Sequence, residues 1–242
     1  MKKTFTLLVA ALMLTGCLFT PDKMRVQPEN RQNSKTALVV LVPKEPHVQY
    51  LAQRVQDSIQ VPATLPGFDG EKLVTDFMAK RLKGKGFELI AVTNDKARFA
   101  AAYDNDWSFP RPERIRDEAM AWGAEQGAGI VVVVYWQAHK DFVYESIHNL
   151  YGYGVVNRWQ DKPAAYAAIQ IEALELDIKS RIGNAESYRS NPLPPELWQE
   201  SFDTATGPVA IPATAAPALK EAITKTLLDT VQNAAQEAGL SH

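Results

Sequence analysis

The sequence of 242 residues contains a single cysteine, Cys17, so an internal disulfide is excluded and the core must be stable without one. This thiol directly follows a positively charged start, Lys2 and Lys3, and an apolar run over residues 5–14. A charged region followed by an apolar run of this length is typical of a secretory signal peptide, and the run is too short to span a bilayer. We therefore expect residues 1–16 to be removed.

The stretch "LTGC", which ends at Cys17, resembles the lipobox of bacterial lipoproteins. The resemblance implies a diacylglyceryl group on the Cys17 sulfur and an acyl chain such as palmitate on the new amino terminus. Several chains are needed because one gives only marginal anchoring. Leu18 stands where Asp would mark retention in the inner membrane, so the resemblance implies the outer membrane, on its periplasmic side. The alternative is a free, buried cysteine in an ordinary exported protein.

The histidines show no metal-binding pattern. None pairs with another at i, i+4, and no second cysteine is present to join them. We expect surface or loop histidines, and neither a metal nor a cofactor. The four are His47, His139, His148 and His242.

Two pairs of carboxylates are close enough in the sequence to be considered as catalytic pairs. Asp117 and Glu118 fall on a predicted helix that needs a solvated face, and Glu172 and Glu175 fall on the polar side of a half-buried strand. A glycosidase would require two carboxylates facing each other across a cleft, which spacing alone does not provide. Nucleophile-elbow, P-loop and Rossmann glycine motifs are absent from the sequence. The sequence therefore favours a non-enzymatic protein.

The segment "NLYGYGVVNRW" is the best candidate for a partner-binding site. It interleaves Tyr151, Tyr153 and Trp159 with glycines. Aromatic rings on a flexible loop offer large contact areas with few rotatable bonds, which suits a protein interface or a glycan platform. The alternative is a hairpin tip whose rings fold back onto the sheet.

Charge and composition limit the classes of partner. The 26 Lys and Arg residues face 28 Asp and Glu residues, a net charge of −2, so no basic excess indicates nucleic acid as a partner. Residues 17–36 are polar and non-periodic, which predicts a lipidated, flexible tether. Residues 37–242 are long enough for a single α/β domain in the periplasm.

The first half of this domain predicts alternating strands and helices. The apolar runs "ALVVLVP", "FELIAV" and "GIVVVVYW" predict strands, the last one central because it holds four consecutive valines. Between them, helical spacing predicts helices over residues 73–82, closed by Gly84, and over residues 112–122. Similar spacing from Val48 to Ile59 predicts a further helix. This order implies a parallel β-α-β-α-β start with right-handed crossovers.

The second half predicts antiparallel strands and a terminal helix. In "YAAIQIEALELDIKS" the apolar parity changes between Ala173 and Leu174, which predicts a β-bulge there, with two separate strands or a twist as alternatives. Gly183 and Asn184 predict a hairpin turn. Apolar spacing over residues 217–235 predicts a long amphipathic helix packed on the sheet.

This succession of elements over residues 37–237, from "TALVVLVP" through "GAEQGAGIVVVVYW" to the C-terminal helix, resembles the small periplasmic lipoprotein domains related to CsgG, PelC and the TolB amino-terminal domain. The resemblance implies an assembly, secretion or scaffold factor. Some of these relatives form homo-oligomers, and the resemblance leaves that state open.

The sequence thus predicts an α/β lipoprotein that acts non-enzymatically through contacts with envelope proteins in assembly, secretion or export. Its other expected partner is the membrane, through the lipid anchor. The alternative is a module that binds peptidoglycan or another polysaccharide, and a periplasmic hydrolase comes third.

Overall fold

A computed structural model describes residues 24–30, 34–51, 59–103, 110–140, 149–158, 163–194, 197, 209–210 and 213–240. Within these residues, nine strands form one mixed sheet and three α-helices accompany it. The predicted α/β class is therefore confirmed.

The strands are β1 (Lys35–Leu41), β2 (His47–Leu51), β3 (Ile59–Thr64), β4 (Glu88–Thr93), β5 (Ile130–Trp136), β6 (Ala138–Lys140), β7 (Asn149–Tyr151), β8 (Tyr153–Arg158), β9 (Ala164–Glu175), β10 (Ser180–Pro192) and β11 (Val209–Ala210). The helices are α1 (Gly70–Lys83), α2 (Pro112–Glu125) and α3 (Ala216–Glu237). The main sheet runs β11-β3-β2-β8-β9-β5-β1-β4, β10 also pairs with β9, and β6 and β7 form a separate hairpin.

The predicted parallel start is confirmed. β1 lies between β4 and β5 and is parallel to both. α1 begins where the Asp69 side chain accepts a 2.8 Å hydrogen bond from the Lys72 backbone N–H, and it ends at Gly84. Every residue of β5 is buried, as expected for a parallel strand covered on both faces.

β9 joins the two halves of the sheet. β10 pairs with it along its whole length, while β8 pairs antiparallel with residues 164–167 and β5 with residues 169–175. α3 packs on β9 and β10 through a buried stripe that includes Leu219, Ile223 and Leu227. Even-numbered β9 residues point to the opposite face, which α2 covers beside β5.

The predicted helix from Val48 to Ile59 is wrong. Val48 lies in β2, which is antiparallel to β3 and parallel to β8, and Ile59 begins β3. These neighbouring strands satisfy the β2 backbone, and that pairing overrides the helical spacing. The middle of the predicted helix lies outside the described residues.

The predicted bulge on β9 is wrong, because the bulge lies on the partner strand β10. β9 keeps a continuous register with β5 through Ala173 and Leu174, and burial on both faces removes the need for a parity change. The register shift lies on the partner strand β10, between Arg181 and Gly183, which pair with Leu174 and Ala173. Ile182 is thus the extra residue.

The predicted turn position is also wrong. Gly183 and Asn184 lie inside β10, and the chain turns earlier, at residues 176–179. Lys179 takes the left-handed conformation in this turn, with φ of 48°.

Candidate functional site

Tyr153 belongs to the core rather than to an exposed loop. Its side chain is fully buried, and its hydroxyl donates to the backbone oxygens of Pro43 (2.9 Å) and Lys44 (3.0 Å). Burial raises the pKa of the Tyr153 hydroxyl well above its usual value. The expectation of an exposed ring is wrong here, and the alternative, a ring folded back onto the sheet, describes Tyr153.

The other two aromatic candidates differ from Tyr153. Tyr151 is half-buried and meets Trp136 edge to face, with ring centroids 6.2 Å apart. Its backbone oxygen accepts a 2.9 Å hydrogen bond from the Tyr166 hydroxyl. Trp159 lies outside the described residues. A partner-binding role for these aromatic residues stays a prediction.

A buried carboxylate, Glu172, is the centre of the strongest polar cluster. It points from β9 toward α2 and is 2 % exposed, not half-buried as predicted. Its Oε1 accepts a hydrogen bond from Arg181 Nη1 at 3.2 Å, lies 3.7 Å from Arg116 Nη1 and is 3.4 Å from the Tyr135 hydroxyl. Three elements, β10, α2 and β5, therefore supply its partners.

The charges of this cluster do not balance. Two guanidinium groups face one carboxylate, and among the described residues Glu172 Oε2 has no hydrogen-bond partner. Glu175 cannot complete a catalytic carboxylate pair with Glu172, because residues three apart on a strand point to opposite faces. The cluster compensates a buried negative charge and is not arranged for acid–base hydrolysis.

A cavity of about 400 Å³ lies beside this cluster. Arg116, Arg181 and Lys179 contribute cationic groups to its wall, and Met24 and Met120 contribute thioethers. Glu113 and Asp117 also line the cavity, so its charge is mixed. Such a wall suits a ligand with an anionic part and an apolar part, rather than a purely anionic ligand.

An N-terminal strap, residues 24–26, lies along the edge of β10 near this cavity. The backbone oxygen of Met24 accepts a 2.9 Å hydrogen bond from the Asn184 N–H, and the Val26 N–H donates to the Ala238 oxygen at 3.0 Å. Val26 is 1 % exposed and is part of the main core. The strap is thus an integral part of the domain.

Glycines make room for this strap. A Cβ on Gly183 would lie 2.8 Å from Val26 Cγ2, and a Cβ on Gly239 would lie 2.8 Å from the Val26 nitrogen. Gly239 also has φ of 78°, a conformation that favours glycine. The close approach of the strap therefore explains why neither position carries a side chain.

The two described histidines, His47 and His139, have different surroundings. His47 has a buried Nδ1 without a hydrogen-bond partner among the described residues, and burial lowers the pKa of its ring to about 4. His139 stacks on Tyr188 at 4.0 Å and lies 3.5 Å from Glu186 Oε1. This contact holds the pKa of Glu186 below its usual value. His148 and His242 lie outside the described residues, and the described part of the chain contains no group of three potential metal ligands.

The two carboxylates of the predicted pair on α2, Asp117 and Glu118, have separate surroundings, and Glu118 is held in an ion pair. Glu118 accepts a hydrogen bond from Arg98 Nε, and the same guanidinium donates to both oxygens of Glu125 at 2.7 Å. Asp117 is exposed and lines the cavity instead. The two carboxylates therefore face different surroundings and do not form a catalytic pair.

Sequence reasoning missed Arg116, Arg181 and Val26. Arginines at isolated positions give no spacing signal, because α2 and β10 are brought together only by the tertiary fold. The one usable signal was Glu172 itself, a charged residue in an otherwise apolar run. Cys17 lies outside the described residues, so the structure does not describe the lipidation site.

None of the helices in the described ranges has the length and apolarity needed to cross a membrane. No family model matches the sequence, and no curated protein matches it significantly.

Similarity to solved structures is remote, with low identities and low TM-scores. The PelC dodecamer from Paraburkholderia phytofirmans is 11% identical, with a TM-score of 0.35, over 87% of this chain and 94% of that one. A protein from Xanthomonas campestris is 11% identical, with a TM-score of 0.37, over 89% and 91% of the two chains. A lipoprotein from Neisseria meningitidis is 11% identical, with a TM-score of 0.31, over 64% and 83%. Identities and scores this low say nothing about function.

Proposed function

We propose that this protein is a lipid-anchored component of the bacterial envelope that acts non-enzymatically, through contacts with other envelope proteins in assembly, secretion or export. The anchor is supported by the "LTGC" stretch after an apolar signal-like run, with Cys17 as the lipidated residue. The outer membrane, on its periplasmic side, is the proposed location because Leu18 follows the cysteine.

The open edge of β4, a strand with no further neighbour among the described residues, carries the proposal of protein contacts. β4 ends the sheet beyond β1, and along it exposed residues alternate with half-buried ones. Ile90 and Val92 are 37% and 44% exposed, which is unusual for large apolar side chains. An apolar edge strand is a template for strand addition, and main-chain hydrogen bonds would hold an extended segment of a partner protein there.

Metabolic labelling tests the anchor. Wild-type protein should incorporate radioactive palmitate and sediment with outer membranes, and Cys17→Ser should do neither. Leu18→Asp serves as a matched control: it should still be labelled but should move to the inner-membrane fraction. Wild-type protein that takes up no palmitate would show that the anchor is wrong, and an unmoved Leu18→Asp protein would refute only the sorting proposal.

A polysaccharide-binding role is the second candidate, favoured by the stacked rings of His139 and Tyr188 beside Glu186. Stacked aromatic rings and a carboxylate can hold a sugar face and its hydroxyls. Sedimentation with purified sacculi separates the two candidates. Only a polysaccharide-binding module should sediment with them, and Tyr188→Ala should then stay in the supernatant.

A further inference from the structure

The strap fixes the distance between the proposed anchor and the domain. From Met24 onward the chain is tied to β10 and α3, because Met24 and Val26 form backbone hydrogen bonds with Asn184 and Ala238. About seven residue steps separate Cys17 from Met24, which span roughly 25 Å even when fully extended. This distance is shorter than the roughly 40 Å width of a compact domain of about 200 residues, so the surface around Met24 is held close to the membrane.

Backbone hydrogen bonds show which end of the sheet lies nearest to the surface around Met24. The Leu176 N–H donates to the Gly129 oxygen (3.0 Å), and the Gly129 N–H donates to the Lys35 oxygen (2.8 Å). The starts of β1 and β5 and the β9–β10 turn at residues 176–179 therefore lie at one end of the sheet. Met24 lies near this end: its backbone oxygen accepts from the N–H of Asn184, four residues after Ser180 in β10, and it lines the same cavity as Lys179.

This end exposes apolar side chains at its tip. Ile178 is 62% exposed in the β9–β10 turn, and Met24 is 46% exposed on the strap. Two cationic side chains, Arg25 and Lys179, are exposed beside them, and Asp177 is the exposed acidic neighbour. Exposed apolar tips between cationic groups are the pattern of a surface that rests at a lipid–water interface.

We propose that the end of the domain formed by Met24 and the turn at residues 176–179 rests on the phospholipid surface that holds the anchor. Ile178 and Met24 enter the boundary between headgroups and acyl chains, and Lys179 and Arg25 contact lipid phosphates. The mixed cavity beside Arg116 then lies at headgroup level. This placement rests on the lipid anchor proposed above.

Fluorescent labelling of introduced cysteines tests the placement, because a lipidated Cys17 leaves no other thiol to react. Ile178→Cys is labelled with an environment-sensitive dye in the lipidated protein, on vesicles of phosphatidylethanolamine and phosphatidylglycerol. Lys44→Cys is the control, an exposed position beyond the opposite end of β1. We expect nitroxide-bearing lipids to quench the label at position 178 several-fold more than the label at position 44.

A charge substitution provides the second test. With the label at Met24→Cys, Ile178→Glu should reduce quenching several-fold, whereas Gln60→Glu, which adds the same charge at an exposed position on β3, should leave it unchanged. Both variants should melt like the parent protein. Equal quenching at positions 178 and 44 on vesicles that carry the protein would overturn this placement and leave the anchor standing. Protein that does not float with the vesicles at all would overturn both.

Discussion

The two strands that flank β1 differ in burial although both are short apolar runs in the sequence. All seven residues of β5 are buried, while in β4 Glu88, Ile90 and Val92 are exposed and the residues between them are half-buried. β5 has β9 on its other side, and β4 has no further neighbour in the described sheet. Position in the sheet, not apolarity alone, therefore decides whether a strand stabilises the fold or remains available to a partner.

The largest difference is expected from introducing a charge on each strand. Val132 and Val133 are fully buried and point to opposite faces, so Val132→Asp or Val133→Asp would bury an unpaired carboxylate. We expect a loss of about 4 kcal/mol or more of unfolding free energy and insoluble protein. Val92→Asp makes the same chemical change on β4 and should cost no more than about 0.5 kcal/mol in urea unfolding. Soluble, cooperatively folded Val132→Asp or Val133→Asp protein would refute the assignment of β5 as central.

Truncation of Tyr153 should give the next largest effect. Tyr153→Ala removes a fully buried ring and should lower the unfolding free energy by about 3–5 kcal/mol. Tyr153→Phe removes only the hydroxyl that donates to Pro43 and Lys44, and should cost about 1–2 kcal/mol. Calorimetric melting measures both. An unchanged melting temperature in Tyr153→Ala would show that the ring lies on an exposed loop and not in the core.

His47 in β2, whose ring is half-buried and whose Nδ1 is fully buried, should make stability depend on pH. The pKa of His47 is about 4 in the folded state and near its ordinary value of 6.5 in the unfolded state, so the unfolded chain binds more protons between these values. Its contribution is fully present above pH 6.5 and is lost as pH falls toward 4, by up to about 3 kcal/mol.

Urea unfolding of wild type and His47→Gln at pH 7 and pH 4.5 isolates this contribution. Relative to wild type, the unfolding free energy of His47→Gln should be higher at pH 4.5 than at pH 7. Parallel pH profiles for the two proteins would mean that His47 titrates normally in the folded state.

The smallest effect on stability, but a clear effect on association, is expected at the open edge. Ile90→Lys together with Val92→Lys places charges on exposed positions and should change the unfolding free energy by no more than about 0.5 kcal/mol per site. Lysines on an edge strand oppose strand addition, so crosslinking to envelope proteins should be lost. Lys225→Glu on the exposed side of α3 controls for surface charge. Unaltered crosslinking in the double variant would exclude the edge as a binding surface.

Periodicity predicted the elements whose burial depends on local pattern. α1, α2 and α3 each have a clear apolar stripe, and the four valines of β5 indicated a strand covered on both faces. The spacing from Val48 to Ile59 misled because the short strands β2 and β3 satisfy it by coincidence. The pairing of β2 with β8 involves residues far away in the sequence.

The polar cluster could be predicted only in part. Glu172 was identified as one of a pair of carboxylates, but its burial follows from the packing of α2 over β9, and its partners Arg116 and Arg181 come from two other elements. No local pattern encodes such a meeting of three elements. The strap was not predicted for the same reason. Val26 is buried against Gly183 and Gly239, which come much later in the chain.

The burial of Val26 has a consequence for the order of folding. Its contacts with Gly183 in β10 and with Ala238 and Gly239 just after α3 join residues that are distant in sequence, so these contacts form only once those elements have docked. Contacts between distant segments carry a large loop-closure entropy and form late. The strap should therefore close last, on an already assembled domain, and the segment that precedes it should stay accessible until that closure.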